Sequence, residues 1–154
     1  EYTIVRDALV EVAQKLAQAI VRDGEGATKF VSVQIGGGRT ERECLKVAYS
    51  IAESPLVKTA IFAQDANWGR FCMAIGKAGV RELDTDKITL WLDDLMVAEG
   101  GRISTGYSEE KGAAVLAQDE FSVKVNLGRG EANATIWTTD LSHEYIRINA
   151  EYRS

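Results

Sequence analysis

Several shortages narrow what this chain can be. It has one histidine, His143, and no acid and serine stand around it in the arrangement of a catalytic triad, so it reads as a structural or exposed side chain. Cys44 and Cys72 are isolated cysteines, each inside an apolar helical pattern. They read as buried free thiols, which suits a reducing cytoplasm. No apolar run approaches the roughly 20 residues that span a bilayer, and no signal-peptide pattern opens the chain. Positive charge is not concentrated: the formal net charge is −5, which argues against a general nucleic-acid binder that must displace counterions from phosphates. Trp91, Trp137, Tyr107 and Tyr152 are too scattered for a base-stacking platform. Asp84, Asp86, Asp93 and Asp94 lack calcium-loop spacing, so no metal site is expected. There is no internal repeat and no low-complexity segment.

What remains is an ordinary core-forming composition, 45% hydrophobic and 27% charged over 154 residues, enough for one domain or one and part of another. Val5, Leu9, Val12, Leu16 and Ile20 recur at spacings of three and four, which predicts an amphipathic helix ended by Asp23-Gly24. Gly24 and Gly26 permit backbone angles closed to other residues in the turn that follows. Val31, Val33 and Ile35 alternate with polar neighbours and predict a half-buried strand, closed by a turn at Gly36–Gly38. Thr40 and Glu43 form a capping-box pair at the start of a second helix, and Ser54-Pro55 stops it. Val57–Ala63 reads as a short apolar strand. A third helix is expected over about Gly69–Lys77, with Asn67 as its N-cap and Gly79 as its C-terminal cap. Strands are expected near Ile88–Leu92, Leu95–Ala98, Phe121–Leu127, Ala134–Thr138 and Tyr145–Asn149, with a helix at Glu109–Ala117. The fold class is therefore mixed α/β (α+β), a mixed sheet with packed helices.

Two segments carry candidate chemistry. Glu25 is flanked by glycines in a helix-to-strand loop, so a ligand can approach it closely, and a carboxylate there can pair with an ammonium. On the residues alone, a solvated loop acid is the simpler reading. The loop lacks the G-x-x-x-x-G-K-[ST] spacing of a phosphate cradle. At the other end, Asn149 offers an amide donor and acceptor, and Ser154 offers a hydroxyl and a terminal carboxylate. Termini usually fray, so without further information this tail reads as structural or disordered. Lys58, Thr59, Asp65, Asn67, Trp68 and Arg70 lie in a distinctive string whose simpler reading is structural.

Three strings carry a resemblance: D-G-E-G-A-T-K-F from Asp23, S-P-L-V-K-T-A-I-F-A-Q-D-A-N-W-G-R from Ser54, and I-N-A-E-Y-R-S at the end. The helix before Asp23 and W-T-T-D-L-S from Trp137 also fit, so nearly the whole chain resembles the C-terminal part of the ornithine acetyltransferases, also called glutamate N-acetyltransferases. These enzymes of arginine biosynthesis are of the self-cleaving, N-terminal-nucleophile type. Their precursor cuts itself before a threonine in a T-M-L-like string, and that threonine becomes the nucleophile. Here Thr3 starts a helix and no such string occurs, so the resemblance implies that these residues lie downstream of the nucleophile, with no catalytic residue among them. It further implies that residues 1–28 belong to the nucleophile-bearing domain, and that 29–154 form a C-terminal domain whose tail returns to the active site. By the same resemblance, Glu25, Asn149 and Ser154 contact the amino-acid substrate. At the last position, where threonine is also common, serine keeps the hydroxyl.

The implied reaction is acetyl transfer from N-acetylornithine to glutamate through an acetyl-threonine, with no resident cofactor or metal. Some members also use acetyl-CoA as a substrate to acetylate glutamate. The implied partners are an α chain and the remaining β-chain segment of the same precursor, assembled as an α2β2 heterotetramer. No nucleic acid or membrane is involved, and the setting is the cytoplasm, or the mitochondrial matrix in a eukaryote. Two other readings stand beside this one. One is a non-catalytic amino-acid-binding or regulatory domain of the same fold, and the other is part of a self-cleaving amidase or aminopeptidase. The intact motifs at 23–29 and 149–154 favour acetyl transfer over the latter.

Overall fold

A computed structural model describes residues 2–152. Helix α1 (Tyr2–Arg22) leads into strand β1 (Phe30–Gly38), which is followed by helices α2 (Glu41–Ala52), α3 (Pro55–Phe62) and α4 (Trp68–Gly76). Strands β2 (Thr89–Leu92), β3 (Leu95–Glu99) and β4 (Arg102–Ile103) come next, then α5 (Glu109–Leu116), β5 (Glu120–Asn126), β6 (Ala132–Thr139) and α6 (His143–Glu151). The strands form one six-stranded sheet in the order β4-β3-β2-β5-β1-β6. Among the described residues β1 and β5 form the parallel pair, and the other pairs are antiparallel. The expected mixed sheet with packed helices is what the chain forms.

One face of the sheet carries the core. Val31, Val33 and Ile35 of β1, with Leu90, Leu92, Val123 and Val125 from its neighbours, lie in one core with Val47 and Ile51 of α2, Val57 and Ile61 of α3 and Phe71 of α4. The alternate residues point the other way. Register places Trp91, Lys124, Gln34 and Thr135 side by side across four strands, and they stay at least partly exposed. This is the period-two partition that a strand pattern dictates when one face is buried.

Four local expectations need correction. Val57–Ala63 is not a strand; α3 occupies that run. Ser54 Oγ accepts from Val57 N–H and Pro55 takes the first helical turn, so the dipeptide that stops α2 also starts α3. Tyr145–Asn149 is likewise helical, within α6, capped by Ser142 and laced by Arg147 to Glu144 and Glu151 at helical spacing. Gly36–Gly38 belongs to β1 instead of ending it. The register shifts between Ile35 and Gly38, where Gly37 takes φ +70°, so the glycines form an irregularity inside the strand. Asn67 occupies the N-cap position of α4 without a side-chain cap bond; its amide donates to Asp65 instead.

Two features tie elements together. Arg22, at the end of α1, donates twice to Glu120 at 2.9 Å and stacks over the Phe30 ring at 3.7 Å. The rest of α1 has no buried residue, and its apolar side is uncovered, with Ile20 73% exposed. At the far end of β1, Glu43 joins α2 to the 128–130 turn. Thr40 caps Glu43 N–H as expected, but the Glu43 carboxylate accepts from Arg39 N–H, one residue earlier than a capping box requires. It also lies 2.9 Å from Arg129 Nε, with both side chains about nine-tenths buried. The Nε–H is not aimed at it, so the contact is ionic rather than a directed hydrogen bond. Arg129 Nη1 meanwhile donates to the Arg81 and Glu82 carbonyls. Removing one partner of such a pair strands the other charge. Glu43→Ala is therefore expected to cost about 3 kcal/mol, against at most about 0.5 kcal/mol for Lys46→Ala on the exposed side of the same helix. Equal urea-unfolding midpoints for the two variants would contradict this.

Candidate functional site

The site grows from the junction of α1 and β1. Asp23 N–H and Gly24 N–H still bond back to Ala19 and Val21, and Ala27 N–H bonds to the Gly24 carbonyl, so the chain turns tightly around Glu25 and Gly26. Gly26 adopts φ +65°, and a Cβ there would stand 2.5 Å from Tyr145 N. Gly26 thus meets both demands for glycine, the left-handed backbone and the close approach of a second segment. Gly24 has no positive φ, contrary to the sequence expectation.

The second segment runs from the end of β6 into α6. Asp140 is 3% exposed. Its Oδ1 accepts from Thr28 N–H (2.8 Å) and Lys29 N–H (3.0 Å), and its Oδ2 from the Thr28 hydroxyl (2.5 Å). Ser142 Oγ donates to the Gly26 carbonyl at 2.5 Å and accepts from Tyr145 N–H, so it caps α6 and holds the loop at once. One turn further along α6, Asn149 Nδ2 donates to Glu25 Oε2 at 3.0 Å and to the Tyr145 carbonyl at 2.9 Å. Glu25 and Asn149, 124 residues apart in sequence, therefore face each other on an exposed surface. Both amide hydrogens are engaged, and among the described residues Asn149 Oδ1 has no donor, which leaves it to meet an incoming one. Ser154 lies outside the described residues.

Lys58 is the member of the Ser54–Arg70 string that reaches this region. Its half-buried Nζ lies 3.4 Å and 3.3 Å from the hydroxyls of Thr138 and Thr139, and its carbonyl accepts from Leu141 N–H. Burial pushes the Lys58 ammonium pKa below its ordinary value, against a weaker upward pull from Asp140. Arg70 bonds instead to the Leu56 carbonyl and the Thr59 hydroxyl, stapling α3 to α4. Trp68 and Cys72 line an apolar cavity of about 310 Å³ against β2 and β3, and burial raises the Cys72 thiol pKa. Within that string, Arg70 and Thr59 thus tie α3 to α4, and Trp68 lines a cavity. His143 is exposed and packs edge-on to Phe62.

Sequence reasoning singles out Glu25, Asn149 and Ser154, gives Lys58 a structural reading, and assigns no role to Asp140 or Ser142. The signal for Asp140 and Ser142 was present in W-T-T-D-L-S, an acid and a hydroxyl ending a strand, but nothing local says which backbone they hold. Among the described residues, no three of His, Cys, Asp and Glu converge as metal ligands. No helix among them is long and apolar enough to cross a membrane.

Comparison with known proteins agrees with the fold and the strings. The ArgJ family model matches residues 1–154. The chain is 53% identical over 153 residues to the arginine biosynthesis bifunctional protein ArgJ of Pseudomonas syringae pv. tomato, covering 99% of this chain and 38% of that protein. It is 53% identical over 150 residues to the protein of the same name from Pseudomonas fluorescens, covering 97% of this chain and 37% of that one. The chain thus spans well under half the length of these curated relatives. The crystal structure of the arginine biosynthesis bifunctional protein from Bacillus halodurans superposes with a TM-score of 0.92 at 38% identity, covering 98% of this chain and 70% of that one.

The crossing at Gly26 sets a stability expectation. Gly79 shares its positive φ, at +69°, but a Cβ there meets nothing within 4 Å. Gly79→Ala should cost on the order of 1 kcal/mol for backbone strain alone. Gly26→Ala should cost about 3 kcal/mol or more, because the α6 backbone must also shift. Equal thermal midpoints would show that the loop and α6 are not packed this closely.

Proposed function

Because the chain belongs to the ArgJ family, we propose that it forms the substrate-orienting wall of a glutamate N-acetyltransferase of arginine biosynthesis, which moves acetyl from N-acetylornithine to glutamate. The observation that carries this reading is the convergence of Glu25 and Asn149. A carboxylate and a carboxamide held together on a surface suit the charged and polar ends of an amino acid. Glu25 pairs with a cationic group of the substrate, and Asn149 Oδ1 accepts a further donor. Ser154 supplies a third polar contact.

In the proposed reaction, a threonine hydroxyl on residues outside this chain attacks the acetyl carbonyl of N-acetylornithine. The amide C–N bond breaks, ornithine leaves with the proton, and an acetyl ester of threonine remains. The amino group of glutamate then attacks that ester, forming N-acetylglutamate and restoring the hydroxyl. Splitting the transfer in two lowers each barrier, and the amine of an N-terminal threonine serves as the base. Oxyanion donors come from outside these residues as well. One wall serves both steps because donor and acceptor share their amino-acid ends. Acetyl-CoA, where used, enters as a substrate and not as a resident cofactor. A non-catalytic amino-acid-binding domain is the weaker reading, since relatives sharing half of these residues are named as bifunctional biosynthetic proteins.

The uncovered side of α1 supports the proposed partners. Apolar positions Val5, Leu9, Val12, Leu16 and Ile20 repeat at helical spacing yet remain exposed, which is the signature of a face that another segment covers. We assign that role to the α chain and the rest of the β chain, within an α2β2 assembly in the cytoplasm. Residues 1–28 then belong to the nucleophile-bearing unit and 29–154 to the C-terminal unit.

Glu25→Ala in the complete enzyme should raise KM for N-acetylornithine roughly tenfold or more, with an unchanged thermal midpoint. Wild-type kinetics in that variant would remove Glu25 from the site. Leu16→Glu should leave the stability of the isolated chain within about 0.5 kcal/mol but abolish its association with the remaining chains, measured by co-purification. Full assembly of Leu16→Glu would contradict a covered α1.

A further inference from the structure

Asp140 is the most constrained acid near the proposed site. It is buried, and among the described residues its three hydrogen bonds come from two consecutive residues of the loop that carries Glu25. A carboxylate is withdrawn from water at high cost unless charge and donors replace the lost hydration. Here two backbone N–H groups and a hydroxyl do so, and the Lys58 ammonium adds an attractive charge from the side of α3. Lys58 in turn holds the Thr138 and Thr139 hydroxyls, which fixes the strand end from which Asp140 projects.

The position of these bonds along the chain matters more than their number. Ser142 secures the Gly26 carbonyl on one side of the loop, and Asp140 secures Thr28 and Lys29 on the other. Glu25 is next to the first anchor, at a fixed offset from the second. Both anchors come from the segment that leads directly into α6 and Asn149. Asp140 therefore governs where the Glu25 carboxylate stands relative to Asn149 without touching either side chain.

We propose that Asp140 is a positioning residue for the amino-acid substrate, acting by clamping the Thr28–Lys29 backbone so that Glu25 is held at Asn149. The inference rests on the substrate-binding role proposed for Glu25. A clamp that acts through Glu25 loses its kinetic effect when the Glu25 charge is gone, whereas a purely structural residue does not.

The test is a double-mutant cycle in the complete enzyme, with Asp140→Asn, Glu25→Gln and the double variant, reading KM and kcat for N-acetylornithine at saturating glutamate. Asp140→Asn alone should raise KM roughly tenfold with kcat changed less than about threefold, and should add less than about twofold in the Glu25→Gln background. The same factor in both backgrounds, or a wild-type KM in Asp140→Asn beside an impaired Glu25→Gln, overturns the inference alone. A wild-type KM in Glu25→Gln overturns the role of Glu25 and this inference with it. Should Asp140→Asn fail to fold, Thr28→Val removes a single donor at nearly constant volume and enters the same cycle under the same criteria.

Discussion

The bonds from Thr28 and Lys29 to the Asp140 carboxylate determine how the two distant halves of the candidate site meet. Strands β1 and β6 are paired so that Phe30 faces Thr139. One step beyond that pair the backbone ladder ends, and the side chain of Asp140 takes over its function by accepting from the next two amides. The sheet is in effect extended by a side chain. That extension fixes the direction in which the chain leaves α1 and the point at which α6 begins, so Glu25 and Asn149 are brought within 3.0 Å. A loop tied only by backbone turns would leave Glu25 mobile, and a mobile carboxylate loses binding energy to ordering.

How much of this was legible beforehand depends on the range of the interactions. The long α1 pattern, the alternation in β1 and β5, and the Thr40 cap are local signals, and each appears where its residues put it. The errors at Val57–Ala63 and Tyr145–Asn149 share a cause. Both are short apolar or β-branched runs of ambiguous period, and in both a serine immediately upstream caps a helix. Reading Ser54-Pro55 only as a stop, and Ser142 not at all, produced strands where capped helices form. The candidate site was legible in part. Glycines around Glu25 marked a loop open to close approach, but the partner that exploits Gly26 lies in α6, more than a hundred residues away. Asp140 could not be assigned from sequence, since its role exists only through the β1–β6 register.

The open faces of the molecule complement the proposed assembly. The covered side of the sheet holds a continuous core, while α1 projects an apolar side with no buried residue. Burial of such a side chain contributes roughly 1.5–3 kcal/mol, so a row of them represents a strong drive toward a covering segment. Arg22, paired with Glu120 and stacked on Phe30, anchors the helix where it meets the sheet. The C-terminal end of that apolar row, at Ile20, lies next to the loop that carries Glu25.

The most direct test of this account is the intact mass of every polypeptide in the purified complete enzyme, taken before and after addition of N-acetylornithine and again after glutamate. Two-step transfer predicts a chain beginning with threonine that gains one acetyl group and loses it when glutamate is added. If no threonine-initiated chain becomes acetylated while N-acetylglutamate is still produced, the two-step transfer against this wall is contradicted.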